Sequence, residues 1–188
     1  MTPSNVRRTV VVAAASRHGS TGEIADRVAD RLRDALPRAW SVCRSEPDNA
    51  WSLADADAIV LGSGVYFGRW LRQARRALQR IDDHEHVWLF SSGPIGASGE
   101  TADDTGLGRS AHHPHAMFGG CLDPSRLTRL ERLVTRLLRV DSSDHRDWAA
   151  IDRWADGIAD ELTRTFDSHH HHEARADRAD LHATGARP

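Results

Sequence analysis

Apolar residues along the chain fall into two alternating patterns, short unbroken runs and stripes at helical spacing. The runs 10–15 and 56–63 are almost wholly hydrophobic, as expected for strands buried on both faces of a parallel sheet. Between them, a helix is predicted to start at Ser20 and to end before Pro37, which cannot continue it. Its apolar stripe comprises Ile24, Ala25, Val28, Leu32 and Leu36.

The same alternation continues to about residue 166. Further strands are predicted at 40–44, 86–91 and 117–122, and further helices at 70–81, 125–139 and 148–166. Five strands that alternate with helices predict an α/β domain whose sheet is mostly parallel. In such a sheet the ligand binds outside the carboxyl ends of the strands, so the loops that follow the apolar strands form the candidate site.

Two segments depart from the alternation. Between residues 93 and 120 there are seven glycines and two prolines, and a loop of this length is often functional. We therefore predict a long glycine-rich insertion at about 93–115 within a single domain that spans 1–166. After Asp167 the chain is rich in His, Arg, Ala and Asp, which predicts a disordered tail over 167–188.

The first candidate loop, Ser16–Gly22, lies between a buried strand and the start of a helix. Its hydroxyl groups and the free backbone N–H groups of a helix N-terminus suit a phosphate, and Gly19 allows a close approach. The alternative is that Ser20 or Thr21 only caps the helix, with Glu23 as the capping-box partner of Ser20.

Two further loops suit a flat ligand. The loop 62–68 carries the aromatic residues Tyr66 and Phe67 between glycines; the alternative is that both rings cover the core. The loop 91–96 consists mostly of small residues whose backbone amides can bond the edge of a ring. A phosphate loop combined with these two loops predicts a mononucleotide with a large planar head group.

These residues resemble a known family. The pattern Ser16-x-x-Gly19-x-Thr21 resembles the phosphate loop of flavodoxins, and the segment 57–70 resembles their corresponding strand and loop. Within that superfamily, three features are similar to the menaquinone-dependent protoporphyrinogen oxidase group. They are Ser-Arg-x-Gly in the phosphate loop, Phe118-Gly-Gly-x-Leu122-Asp123, and Asp147-Trp-x-x-Ile151. The resemblance covers about 8–166. It departs at His18, where ordinary flavodoxins have threonine, and in the glycine-rich segment, which leaves the substrate open.

The resemblance implies a flavodoxin-like three-layer sandwich, with a five-stranded parallel sheet of order 2-1-3-4-5 and helices on both faces. It implies FMN as the cofactor, with a deazaflavin as the alternative. The phosphate would be held by Ser16, Arg17, His18, Gly19, Ser20 and Thr21. The isoalloxazine would be flanked by Ser63, Gly64, Val65, Tyr66, Phe67 and Gly68 and by Ser91, Ser92, Gly93 and Pro94. Because the flavin carries the chemistry, we assign no catalytic acid or base.

The implied function is that of an oxidoreductase that passes electrons from a small-molecule donor through FMN to a quinone or a redox protein. The alternatives are a flavodoxin-type carrier without its own substrate and a cofactor-free scaffold. A formal net charge of −2 disfavours a carrier, which usually docks through a strongly acidic surface, and also a nucleic-acid partner. All 25 basic residues are arginine, which excludes lysine chemistry.

The remaining signals concern location and metals. Two distant cysteines, Cys43 and Cys121, favour a reducing cytoplasm. The arginine-rich helix 125–139 either covers the sheet or lies against the inner face of the membrane, near anionic headgroups. His112, His113 and His115 lack the spacing of a metal site, so no metal is predicted. Nothing in the sequence indicates an oligomeric state.

Overall fold

The structure is a computed structural model that describes residues 7–49, 53–66, 68–93, 113–121 and 144–184, with side chains up to Asp167. The predicted helix 125–139 lies outside the described residues, as do Phe67, Pro94 and most of the glycine-rich insertion. No helix in the described ranges is long and apolar enough to cross a membrane.

The strands and helices alternate as the hydrophobic pattern predicts. In chain order they are β1 (Arg8–Ala15), α1 (Ser20–Ala35), β2 (Trp40–Ser45), β3 (Ala58–Tyr66), β4 (Arg69–Trp70), α2 (Arg72–Ile81), β5 (Val87–Gly93), β6 (His115–Gly119) and α3 (Trp148–Thr184).

Five of these strands form a parallel sheet in the order β2-β1-β3-β5-β6. The predicted five-stranded sheet and its order are therefore confirmed. The two-residue strand β4 was not predicted, and it pairs antiparallel with the end of β3 after a turn in which Gly68 has a φ of 70°. Only glycine adopts this backbone conformation readily, so Gly68 permits the tight turn.

Helices cover both faces of the sheet, as predicted. Alternate residues of β1 belong to two separate cores, which explains why its apolar run is unbroken. Val10, Val12 and Ala14 pack in the core beneath α1 and α3. Val11, Ala13 and Ala15 pack in the core beneath α2. On the first face, Arg27 and Arg31 of α1 also form bidentate ion pairs with Asp152 and Asp156 of α3.

Several boundaries differ from the prediction. Helix α2 begins at Arg72 rather than at residue 70, and β5 ends at Gly93 rather than at residue 91. Strand β3 continues three residues beyond Ser63, so residues 64–66 extend a strand rather than open a loop. Strand β6 begins at His115 and ends at Gly119, earlier than the predicted 117–122. Helix α3 continues to Thr184, through a segment that we expected to be disordered. That segment has too few apolar residues to build a core, but it is rich in Ala and Arg and has no Gly or Pro before Gly185, so it can extend a helix.

Candidate functional site

The three predicted loops meet at the carboxyl edge of the sheet. The strand register places Ala15 beside Ser63, Gly64 beside Ser92, and Gly93 beside Gly119. The structure therefore brings the ends of β1, β3 and β5 together. It adds the end of β6 to them.

The phosphate loop, defined as residues Ser16–Gly22, turns into α1 at Gly19. Gly19 has a φ of 92° and is the N-cap residue of the helix, and no side chain caps that end. Its carbonyl accepts a hydrogen bond from the Glu23 N–H at 2.9 Å. Capping by Ser20 or Thr21 with Glu23 as partner, the alternative that the sequence left open, is therefore wrong. The N–H groups of the first turn have no acceptor within the helix and remain directed towards the loop.

Two serine hydroxyls flank this helix end, and each already accepts a backbone hydrogen bond. The Gly19 N–H donates to Ser16 Oγ at 3.0 Å, and the Cys121 N–H donates to Ser20 Oγ at 2.9 Å. A hydroxyl that accepts still has its own hydrogen to donate. The loop therefore presents N–H and O–H donors together at the positive end of a helix, which is the donor set that an anion requires.

Tyr66, the last residue of β3, lies against the phosphate loop. The Arg17 guanidinium is 5.6 Å from the centroid of the Tyr66 ring, and the His18 ring is 6.0 Å from it at an angle of 62°. A Cβ on Gly64 would lie 2.8 Å from Tyr66 Cε2 and 3.1 Å from Thr21 Oγ1. Gly64 therefore leaves the space in which Tyr66 and α1 come together beside the loop.

Four of the predicted ligand hydroxyls are buried and are bonded within the protein. Thr21 Oγ1 and Ser92 Oγ are 2.8 Å apart, which ties α1 to β5. Ser63 donates to the Gly64 carbonyl at 2.9 Å and accepts from the Leu71 N–H at 3.0 Å. Ser91 is hydrogen-bonded to the side chains of Trp70 and His115. Each of these hydroxyls therefore has a protein partner and links neighbouring segments at this edge of the sheet.

The segment after β6 completes the edge and was not predicted as part of the site. The Gly120 N–H donates to the Gly93 carbonyl at 2.8 Å, and a Cβ on Gly120 would lie 3.2 Å from that oxygen. Cys121 forms an isolated bridge with Asp144, and the His145 N–H donates to the Gly120 carbonyl at 3.3 Å. The adjacent glycines 119 and 120 were the sequence signal for this close approach.

Arg146 joins this segment to the first turn of α1. Its guanidinium donates to the Glu23 carboxylate and, at 2.8 and 2.6 Å, to the Asp144 carboxylate. It also lies 4.6 Å from the centroid of the Trp148 ring. These hydrogen bonds lower the pKa of Asp144 to about 2 and raise the pKa of Arg146. Because its side chain is only 10% exposed and holds two carboxylates, Arg146 stabilises the site rather than offering a free cation to a ligand.

The histidines considered as metal ligands have other partners. His113 Nε2 lies 3.2 Å from the Asp82 carbonyl oxygen, and His115 Nε2 lies 2.9 Å from Ser91 Oγ. Burial lowers the pKa of His115, which favours its neutral form. Within the ranges that the structure describes, no three His, Cys, Asp or Glu residues are grouped as metal ligands. His112 lies outside those ranges.

Comparison with known protein families assigns this architecture to one of them. The sequence matches a family model described as a flavodoxin domain over residues 11–148, which is well over half of the chain. No protein with a curated description matches the sequence.

Solved structures with the same fold are distant in sequence. A flavodiiron core from Synechocystis superposes with a TM-score of 0.58 at 14% identity, and rubredoxin oxygen:oxidoreductase from Desulfovibrio gigas with 0.57 at 18%. The matches cover 85% and 87% of this chain but only 37% of each of those chains, so this chain spans about a third of their length. Oxidised flavodoxin 2 from Bacillus cereus superposes with 0.54 at 18% identity, over 82% of this chain and 99% of that one.

Proposed function

The chain belongs to the flavodoxin domain family, and from this premise we propose that it is an FMN-dependent oxidoreductase with a substrate of its own. Membership of this family identifies FMN as the cofactor and electron transfer as the chemistry. The finer proposal is that a reduced small molecule is the electron donor and that a quinone or a redox protein is the acceptor.

The observation that carries the proposal is the donor set around Gly19. The phosphate of FMN is an anion, and it fits the end of α1, where Ser16 and Ser20 each have a hydrogen to donate. Exposed Arg17 adds a positive charge beside this position. We therefore propose that Ser16, Arg17, His18, Gly19 and Ser20 hold the phosphate.

The walls of the ring site follow from the same edge of the sheet. We propose that the end of β3, with Val65 and Tyr66, and Gly68 in the turn after it lie along one side of the isoalloxazine and that Gly93 lies along another. Phe67 and Pro94 remain part of the proposal on the sequence alone. When bound, FMN supplies the hydride and single-electron chemistry. The chain's own residues bind the phosphate, orient the ring and limit the access of water.

The substrate proposal rests on the motifs shared with the protoporphyrinogen oxidase group. One of these motifs adjoins the edge of the sheet, since Gly119 pairs with Gly93 and Gly120 contacts it. In another, Asp147 caps α3 by accepting a hydrogen bond from the Ala150 N–H at 2.9 Å. We propose a reduced tetrapyrrole as the donor and a menaquinone-type quinone as the acceptor. A cytoplasmic location, with the helix 125–139 against the inner face of the membrane, would suit a quinone acceptor and rests on the sequence.

A single assay tests the activity. The protein, loaded with FMN, is mixed anaerobically with protoporphyrinogen and a soluble menaquinone analogue, and the fluorescence of the porphyrin product is followed. We expect turnover that requires both FMN and the quinone. If FMN is bound and can be reduced but no donor is oxidised, the chain is an electron carrier instead. If no flavin binds, it is a cofactor-free scaffold, and the proposal fails.

A further inference from the structure

A buried chain of side-chain hydrogen bonds runs beneath the proposed ring site. Trp70 Nε1 donates to Ser91 Oγ at 2.6 Å, and Ser91 Oγ lies 2.9 Å from His115 Nε2. The rings of Trp70 and His115 also meet edge to face, with their centroids 6.1 Å apart. Trp70 and Ser91 are buried, and neither belongs to the proposed phosphate site.

The direction of the hydrogen bond between Trp70 and Ser91 is fixed by the indole. An indole nitrogen can only donate, so Ser91 accepts from Trp70 and has one hydrogen of its own. Among the described residues no buried side-chain nitrogen or oxygen lacks a partner, and the partners of Ser91 Oγ are Trp70 and His115. Ser91 donates this hydrogen to His115 Nε2 when the neutral imidazole carries its own hydrogen on Nδ1, and accepts from His115 when the hydrogen is on Nε2. In either tautomer Ser91 Oγ links the Trp70 indole to the His115 ring.

These hydrogen bonds link the three strands β4, β5 and β6. Trp70 belongs to β4, which pairs with Val65 and Tyr66 at the end of β3, while Ser91 and His115 belong to β5 and β6. β4 has only two residues, and its pairing with β3 alone gives it little stability. A second bond, from the Leu71 N–H directly after β4 to Ser63 Oγ, fixes the backbone but not the Trp70 side chain.

We propose that Ser91 and His115 are positioning residues that, through Trp70, hold the β3–β4 turn in the place where Tyr66 can contact the phosphate loop and border the flavin. The inference rests on the proposed function only in requiring that FMN bind at this edge. His115 lies outside the phosphate and ring sites, and it acts through Ser91 and Trp70.

The test measures FMN affinity in four full-length variants. Ser91→Ala and His115→Leu each remove a hydrogen-bonding partner, whereas His115→Gln has a side-chain amide that can still accept from Ser91 or donate to it. Val87→Ala is the matched control, since Val87 is buried in the same core but at the opposite end of β5. Each apoprotein is titrated with FMN, the visible spectrum of the bound flavin is recorded, and thermal unfolding is measured in parallel.

We expect Ser91→Ala and His115→Leu to raise the FMN dissociation constant by about fivefold to tenfold, the loss of one hydrogen bond, and to shift the flavin bands. His115→Gln should retain the wild-type affinity and spectrum, and Val87→Ala should lose stability without either change. Wild-type affinity and spectrum in both Ser91→Ala and His115→Leu, or the same loss of affinity in Val87→Ala, would overturn the inference. If Ser91→Ala does not fold, the comparison of His115→Leu with His115→Gln decides.

The two proposals fail in different ways. If the wild-type protein binds FMN but oxidises no donor, the oxidoreductase proposal fails and the affinity test still applies. If the wild-type protein binds no FMN, both are overturned.

Discussion

Gly62 offers the sharpest test of the strand register that brings the loops together. Gly62 of β3 lies beside Phe90 of β5, and a Cβ on Gly62 would lie 2.5 Å from Phe90 Cε2, with Cζ and Cε1 closer still. Ordinary contact begins at 3.4 Å, so the ring would have to move by about 1 Å. It has no room to do so, because the rings of Phe118 and Trp154 lie 6.0 and 5.9 Å from its centroid and 5.4 Å from each other.

We therefore expect Gly62→Ala to lower the free energy of unfolding by about 3 kcal/mol, the upper end of the usual cost of overpacking. In a domain of this size that corresponds to a fall in Tm of roughly 6–12 °C. Thermal and urea unfolding followed by circular dichroism measure both quantities. In a Phe90→Leu background the same substitution should cost less than about 1 kcal/mol, because the two sites are coupled.

The matched control is Gly157→Ala, the same change in the exposed middle of α3. A Cβ there meets no heavy atom within 4 Å, so the variant should be more stable than the wild type by about 0.5–1 kcal/mol. Opposite signs for the two substitutions support the packing of the Phe90 ring over Gly62. Gly62→Ala with wild-type stability would refute it, because the register of β3 against β5 would then be wrong.

Three further predictions concern the edge of the sheet. Gly19→Asp should abolish FMN binding, because a carboxylate at the helix N-terminus repels the phosphate and a non-glycine residue is strained at a φ of 92°. Flavin retention after desalting measures this, and far-ultraviolet circular dichroism is the folding control. The lowered pKa of Asp144 contributes stability that is present above its ordinary value of 3.8 and is lost as the pH falls towards about 2. Urea unfolding measured across that pH range should show this loss in the wild type but not in Arg146→Met. The loss should be under about 1 kcal/mol, because the Asp144 carboxylate is half exposed. Burial lowers the pKa of His115, so the wild type should lose stability relative to His115→Gln as the pH falls through 6.5, the ordinary pKa of histidine. A difference in stability between the two proteins that stays constant from pH 5 to pH 8 would contradict this.

The fold was predictable from the sequence because the two periodicities are strong. The unbroken apolar run of β1 and the stripe of α1 indicate a buried parallel strand and a helix that covers it. The order of the strands followed from the resemblance that the Ser16–Thr21 pattern carries. These signals are local, and each involves only neighbouring positions in the chain.

The extent of β3 could not be predicted in this way. Its end, Gly-Ser-Gly-Val-Tyr, suggests a loop because glycine is depleted in strands. In the structure, a side chain at position 62 would collide with the Phe90 ring, and a side chain at position 64 would come too close to Tyr66 and Thr21. Such contacts join residues that are far apart in sequence, and no local pattern reports them.

The roles of the hydroxyl groups were equally hidden. Serines in a loop after a strand are as well suited to a protein partner as to a ligand, and their sequence positions do not distinguish the two. Ser16 and Ser20 accept backbone hydrogen bonds and still have a hydrogen to donate. Ser63 and Ser91, by contrast, accept hydrogen bonds from Leu71 and Trp70. Arg146 was missed for a similar reason, since its partner Glu23 lies 123 positions away.

The central claim, that FMN binds at the end of α1, is tested most directly by a visible absorption spectrum. The purified full-length protein is incubated with FMN, desalted and scanned, beside Gly19→Asp treated in the same way. We predict flavin bands at about one FMN per wild-type chain, because one phosphate site is proposed, and no flavin bands in the variant. A folded wild-type protein that retains no flavin, or a Gly19→Asp variant that retains it as tightly, would contradict the claim.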